Sequence, residues 1–467
     1  MQDDEIAFLS ATGLKKRYAR RELSPVEVTT SILNRLDRVN STLNAFVTPT
    51  HDLAMRQANE AQQAYARGDA AILAGIPISI KDLTLTKGIR TTRGSLHYQD
   101  WVPDEDAPFM DRVYASGAVV LGKTNTPEFG WKGETTNRVA GSTHNPWRHG
   151  LTPGGSSGGA AAAVAAGLAP LAQGTDGAGS IRIPCSFCGL FGFKPTWGLI
   201  AQYPASGTIE LAHFGPMTRT VADAALLLTA TSGRDPRDRN SWSSEIDYLA
   251  ELDDIDLTGL RIAWTSDLGY APVEPEVRAA AEAAAKRFEE LGCSVEEAHP
   301  GLDDPWHIVD TIWASGMAAV NRERLPHDAD RFDPGLLAVI EDGLRISAVD
   351  LASAFLQRSA YYQAWRAFME QYDLVLTPTL PCTAFPVGQD HPGQIAGKTS
   401  SYLGWTKFTY PFNVTGQPAA TVPCGTDSRG LPIGLQIVGR YRDDVTVLRA
   451  AAAFEAIAPW AHQRPAL

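Results

Sequence analysis

The chain reads as an α/β layered protein with a mostly parallel or mixed sheet. Short apolar runs of strand length alternate with amphipathic stretches of helix length along the whole sequence, the pattern of layered α/β folds. With 467 residues and 44% apolar content, the chain can bury one large core. No internal repeat or low-complexity tract interrupts it.

Residues 1–70 read as helices. Ser24 followed by Pro25 and Glu27 is a helix start, with proline in the first turn and the acid three residues past the cap. Val28, Ile32, Leu33, Leu36 and Val39 then recur at helical spacing. Buried strands are expected at Ile76–Ile80, Ala118–Leu121, Leu260–Trp264, Leu374–Leu376 and Ile433–Val438. Helices are expected over Pro275–Leu291, Ser347–Gln371 and Val445–Ile457. The polar stretch from Asp235 to Asp256 is expected to connect a Gly-rich half to the later half.

Charge and composition exclude several classes. The balance of 41 basic against 53 acidic residues gives −12, which argues against nucleic acid and anionic membrane surfaces as partners. Met1-Gln2-Asp3-Asp4-Glu5 is acidic where a signal peptide is basic, and no apolar core follows. The longest apolar window, Ala160 to Ala172, contains Gly167 and Pro170 and falls short of the ~20 residues of a membrane span. These features predict a cytoplasmic protein. Five scattered cysteines imply no disulfide framework. Cys185-Ser186-Phe187-Cys188 matches C-x-x-C but lacks a second such pair or a nearby His pair, so two packed thiols and no metal are expected.

Two further motifs match by letter and fail by context. Gly117-Ala118-Val119-Val120-Leu121-Gly122-Lys123-Thr124 fits the P-loop pattern, yet its variable positions form a strand and Asn125-Thr126-Pro127 starts no helix. Gly154 to Gly159 satisfies G-x-S-x-G, but the irregular run Thr143–Gly150 precedes it where a nucleophile elbow needs a strand. Among ten histidines nothing selects a triad base, and His144 and His149 are too isolated to serve as metal ligands. A Ser-His-Asp esterase is therefore the weaker reading.

A stronger constellation remains. Ser156 and Ser180 lie in one Gly-saturated region, Pro153-Gly154-Gly155-Ser156-Ser157-Gly158-Gly159 and Gly174-Thr175-Asp176-Gly177-Ala178-Gly179-Ser180. The apolar stretch Ala160–Ala166 follows the first run, which presents its serines at a helix N-terminus. Gly177-Ala178-Gly179 supplies small residues whose amides can approach a ligand, as an oxyanion hole requires. Lys81 closes the apolar run Gly75-Ile76-Pro77-Ile78-Ser79-Ile80. Burial there would lower its pKa and make it a usable base. Two hydroxyls and one lysine complete a proton relay without histidine, which points to hydrolysis of an amide-type bond.

Together with Gly189-Leu190-Phe191-Gly192-Phe193-Lys194-Pro195-Thr196 and Gly416-Gln417-Pro418-Ala419, these motifs resemble the amidase signature family over residues 25–457, most densely over 75–200. The resemblance implies a single α/β/α layered domain with a large mixed sheet. It divides the chain into a helical region at 1–70 packed on an amidase signature domain at 71–467. Within that domain, a catalytic core spans about 75–230 and a substrate-shaping region about 300–410. It further implies a Ser-Ser-Lys triad: Ser180 as nucleophile, Ser156 as bridging serine on a non-proline cis peptide, and Lys81 as base. The amides of Gly177, Ala178, Gly179 and Ser180 would form the oxyanion hole, with Asp176 and Arg182 bracing the loop. No metal or organic cofactor is implied, and the expected partner is a small amide, acted on by a monomer or homodimer.

Two departures stand out. Ala178 occupies a position where a second glycine is commoner, and Trp197 replaces the usual tyrosine after Lys-Pro-Thr. Aromatic residues cluster from Asp303 to Thr409, at Trp306, Trp313, Phe355, Tyr361, Tyr362, Trp365, Phe368, Tyr402 and Trp405. Core packing is the default reading for most of them, and those that face a cleft would fit aryl or extended substrates such as anilides, linear oligoamides or carbamates. Within the family the alternative is the glutamine-hydrolysing component of a tRNA-dependent amidotransferase. A catalytically silent binding module is disfavoured because all three triad residues are present.

Overall fold

The computed structural model describes residues 3–467. Eleven strands form one sheet: β1 (Phe46–Pro49), β2 (Pro77–Lys81), β3 (Val119–Thr124), β4 (Leu171–Asp176), β5 (Phe191–Lys194), β6 (His213–Thr218), β7 (Arg261–Trp264), β8 (Ser294–Glu297), β9 (Leu374–Pro378), β10 (Ala419–Thr426) and β11 (Pro432–Gly439). Their order is β1-β3-β2-β4-β6-β5-β10-β11-β9-β7-β8. The β3-β2-β4 and β9-β7-β8 groups are parallel, and the remaining neighbours are antiparallel, so the sheet is mixed.

Strand alternation sends side chains to both faces. Leu374 and Leu376 pack in one apolar cluster and Val375 in another; Ile262 and Ala263 divide the same way. Ile78 and Ile80 join the first cluster, which turns Ser79 and Lys81 toward the opposite face. This register turns Lys81 away from the face on which Ile78 and Ile80 pack.

All five expected strands are present, and the expected helices run Pro275–Lys286, Ala348–Phe368 and Asp444–Ile457. Ser24 caps the helix Pro25–Leu43 through a full capping box with Glu27. Periodicity missed β1, which adds an edge strand within the region read as helical. Residues 235–256 are irregular except for the short turn Ala250–Asp253 and lead into β7, so they join two halves of one sheet.

The P-loop look-alike is interior sheet. Lys123 is fully buried on β3, and its ammonium donates to the Thr84 carbonyl and to the hydroxyls of Thr86 (2.9 Å) and Thr91 (3.0 Å). Cys185 and Cys188 are free, buried thiols on the helix Arg182–Cys188, placed near the carbonyls of Phe191 and Pro153. Among the described residues no group of His, Cys, Asp and Glu could hold a metal, and no helix is long and apolar enough to cross a membrane.

Candidate active site

Three segments converge at the ends of the parallel strands. Lys81 is the last residue of β2, Thr175 and Asp176 close β4, and Ser156 precedes the helix Gly158–Ala165. Lys81 Nζ lies 2.7 Å from Ser156 Oγ and 2.7 Å from Thr175 Oγ1. The lysine is fully buried, and burial holds its pKa well below the ordinary lysine value against the opposing field of Asp176. Thr175 is a contact that sequence reasoning missed, although it stands inside the motif that flagged the site.

The serine segment is fastened to the neighbouring loop. Ser157 Oγ donates to the Thr175 carbonyl and accepts from the Thr175 N–H, both at 3.2 Å. Ser157 N donates to the Ser180 carbonyl at 3.3 Å. A side chain at position 155 would strike the Glu134 backbone at 2.7–2.8 Å, so glycine permits the close approach. The Gly155–Ser156 peptide bond is cis.

Asp176 and Arg182 brace the loop between β4 and the following helix. Arg182 donates to Asp176 through Nε (3.0 Å) and Nη2 (2.9 Å), and reaches the Thr409 carbonyl (2.9 Å), Gln436 (2.8 Å) and Asn413 (2.6 Å). Burial alone would raise the Asp176 pKa. The Arg182 charge and its hydrogen bonds, with Lys194 and Asn413, more than offset that and hold it well below the carboxylate range.

The Gly179 N–H also donates to Asp176 Oδ1, at 2.7 Å. Of the four amides expected at the oxyanion hole, this one is turned to the carboxylate. Gly179 has φ +126°, and a Cβ there would lie 2.4 Å from Thr409 Oγ1. The position therefore requires glycine to bring Ser180 round. Ala178 is buried in an apolar cluster with Trp313, while Gly177 and Ser180 on either side line the cavity.

That cavity, about 200 Å³, holds Ser156, Thr175, Gly177 and Ser180. Of the nine aromatic residues of the 303–409 stretch, Trp313 lines it; its other aromatic walls are Tyr98, Phe129, Tyr203 and Phe214. Those residues lie outside the 303–409 cluster. Trp365 and Trp405 are buried packing groups. Tyr361 joins the same cluster as Trp365, and Trp306, Phe355, Phe368 and Tyr402 pack against it. Tyr362 meets Tyr441 edge to face.

His213 is the histidine in the lining. Its Nδ1 faces the carbonyls of Leu211 (2.9 Å) and Asp176 (3.2 Å), and its Nε2 lies 3.4 Å from Lys194 Nζ. Both ring nitrogens thus point away from the serines. Burial, reinforced by Lys194, keeps the ring neutral. His144 and His149 stack on each other at 3.9 Å. This arrangement supplies no histidine base.

The sequence model of the Amidase family matches residues 27–448. The chain is 41% identical to an acylamidase of Rhodococcus erythropolis, over all of this chain and 99% of that one. It is 37% identical to the A-type component of the glutamyl-tRNA(Gln) amidotransferase of Thermosynechococcus vestitus, covering 97% and 99% respectively. Among solved structures it resembles a bacterial aryl acylamidase of the amidase signature enzymes, with TM-score 0.90, 32% identity and 97% of both chains covered.

Proposed function

Given that the chain belongs to the amidase signature family, we propose that this amide-hydrolysing enzyme cleaves the C–N bond of small, aryl or extended carboxylic amides, including anilides, linear oligoamides and carbamates, through a Ser-Ser-Lys relay. The observation that carries this reading is the contact of a fully buried Lys81 with Ser156, in the cavity that also holds Ser180.

In this mechanism Lys81 starts as a neutral amine because burial disfavours its ammonium. Ser180 Oγ attacks the substrate carbonyl carbon and gives its proton to Ser156, whose own proton passes to Lys81. The new ammonium is favoured by the nearby charge of Asp176 and by the acceptor Thr175. The N–H groups of Gly177, Ala178 and Ser180 stabilise the oxyanion, and Gly179 serves by holding the loop on Asp176. Ser156 then protonates the leaving nitrogen and recovers its proton from Lys81. Water attacks the acyl-enzyme, sends a proton back along the same chain and frees the acid.

The acylamidase relatives favour aryl and acyl amides as substrates. The amidotransferase relative favours a second reading, a glutaminase component passing ammonia to a partner. Purified chain alone, screened by mass spectrometry against anilides, aliphatic amides, esters, carbamates and glutamine, separates the two. Turnover of anilides without a partner supports the first reading, and glutamine as the single substrate supports the second.

A further inference from the structure

The catalytic cavity carries positive charge without an anion to balance it. Arg93 and Arg324 line it, and among the described residues its lining contains no aspartate or glutamate. The chain as a whole is strongly acidic, so this local inversion does not follow from a basic surface.

The two guanidinium groups share one aromatic ring. The Arg93 guanidinium carbon stands 4.9 Å from the ring centres of both Tyr98 and Trp101, and that of Arg324 stands 5.0 Å from Tyr98. Arg324 also donates to the Tyr98 hydroxyl and, at 2.8 Å, to the Val320 carbonyl. Arg93 is anchored by its backbone, whose N–H donates to the Asp82 carbonyl (3.1 Å) and whose carbonyl accepts from Phe129 N–H (2.8 Å). Its buried Nε has no hydrogen-bond partner among the described residues. The partners of these side chains are rings, a phenol and a backbone carbonyl, with no carboxylate paired to either among the described residues. The acid whose field reaches Arg93, Asp82, is itself buried and turned to the N–H and hydroxyl of Thr92.

Two neighbouring cations kept half-buried on aromatic faces are offset only in part by cation–π contact. An entering anion would remove their repulsion and complete Arg93's unused donor. A guanidinium fork matches the two coplanar oxygens of a carboxylate, and a cavity of about 200 Å³ that must also seat the amide leaves room for a compact group of that kind. We propose that Arg93 and Arg324 form an anion subsite of the catalytic cavity, and that the preferred substrates are amides bearing a carboxylate on a short aryl or alkyl spacer. This inference rests on the amidase reading and narrows it.

Matched substrate pairs test it on both sides of the scissile bond. On the amine side the pair is N-acetyl-4-aminobenzoate and N-acetyl-4-toluidine; on the acyl side it is the glutaric acid monoanilide and hexananilide. Wild type should favour the carboxylate member of at least one pair by ~10–100-fold in kcat/KM, mainly through KM. In Arg93→Gln and in Arg324→Gln that preference should collapse toward unity. Because the readout is a ratio within each protein, a partly misfolded variant does not mimic the effect. If Arg93→Gln fails to fold, Arg324→Gln, on a half-exposed turn, decides the matter. Equal rates for both members of both pairs in wild type, or a preference that survives both substitutions, overturns the subsite. If wild type hydrolyses none of the four, the amidase reading has failed separately, and calorimetry of glutarate against glutaramide then decides the subsite. Tighter glutarate binding that is lost in Arg324→Gln supports it, and equal binding overturns it.

Discussion

Arg182 grips both carboxylate oxygens of Asp176, Oδ2 through Nε at 3.0 Å and Oδ1 through Nη2 at 2.9 Å, with both residues fully buried. The pair organises the site in two ways. It keeps Asp176 ionised, so that its charge opposes the effect of burial on Lys81. It also ties the β4 end to Thr409, Asn413 and Gln436, which fixes the loop carrying Ser180.

Asp176→Asn should therefore damage stability and catalysis together. It leaves Arg182 as an unpaired buried charge, at a cost of ~3–5 kcal/mol. It also turns one of the two acceptor oxygens into an NH2 group, which must face donors whichever way the amide is set: Gly179 N–H and Arg182 Nη2 on one side, Ile181 N–H and Arg182 Nε on the other. Denaturant unfolding and steady-state kinetics on the same preparation check this, and a variant of wild-type stability would show that the pair is not a structural brace.

Ser180→Ala should abolish both turnover and covalent labelling by a fluorophosphonate, with the fold intact by circular dichroism. Ser180 is 6% exposed and lines the cavity, so a reagent can reach it. Mass mapping identifies the labelled residue. A label retained in this variant and found on Ser156 or Ser157 would reassign the nucleophile.

Thr175→Val should lower kcat by ~10-fold or more with little change in KM, since it removes a hydrogen-bond acceptor from Lys81. Losing that acceptor disfavours the ammonium, so the ascending limb of the pH–rate profile should move to lower pH. A purely structural threonine would reduce activity without moving the limb.

Lys81 should leave a signature in stability as well. Burial lowers its pKa in the folded protein, so between that value and the unfolded value near ~10.4 the unfolded chain binds more protons. Stability contributed through this group therefore rises with pH across that window. Wild type should gain in Tm relative to Lys81→Met as pH is raised from neutral towards 10. A difference that stays flat with pH means that Lys81 is charged in the folded state.

Much of this site was legible because its chemistry is packed into contiguous glycine-rich runs. Lys81 closes an apolar strand, and its burial follows from Ile78 and Ile80 packing on the opposite face. The hydroxyl of Thr175 was not legible, because its role comes from β4 running beside β2 in parallel register, a non-local fact. The cavity walls were not legible for a related reason. Composition marked 303–409, yet the walls come mostly from loops at Leu83–Leu85, Tyr98, Phe129 and 202–208, which have no periodicity to read. Strands β5 and β6 escaped because they contain Gly192, Gly215 and Pro216, residues that ordinarily weaken a strand. Pro216 sits opposite Gln173 of β4, while the β5–β6 pairing is confined to Phe191–Thr218 and Gly192–Met217.

The proposed mechanism turns on a neutral, buried Lys81 as the base. Its most direct test is the pH dependence of kcat/KM from about pH 5 to 11 on one neutral anilide, with stability controls at each end. One ascending limb is expected below the free-lysine value of ~10.4, absent from the residual activity of Lys81→Ala. An inflection near ~6.5 that survives Lys81→Ala and vanishes when His213 is replaced would contradict it and make histidine the base.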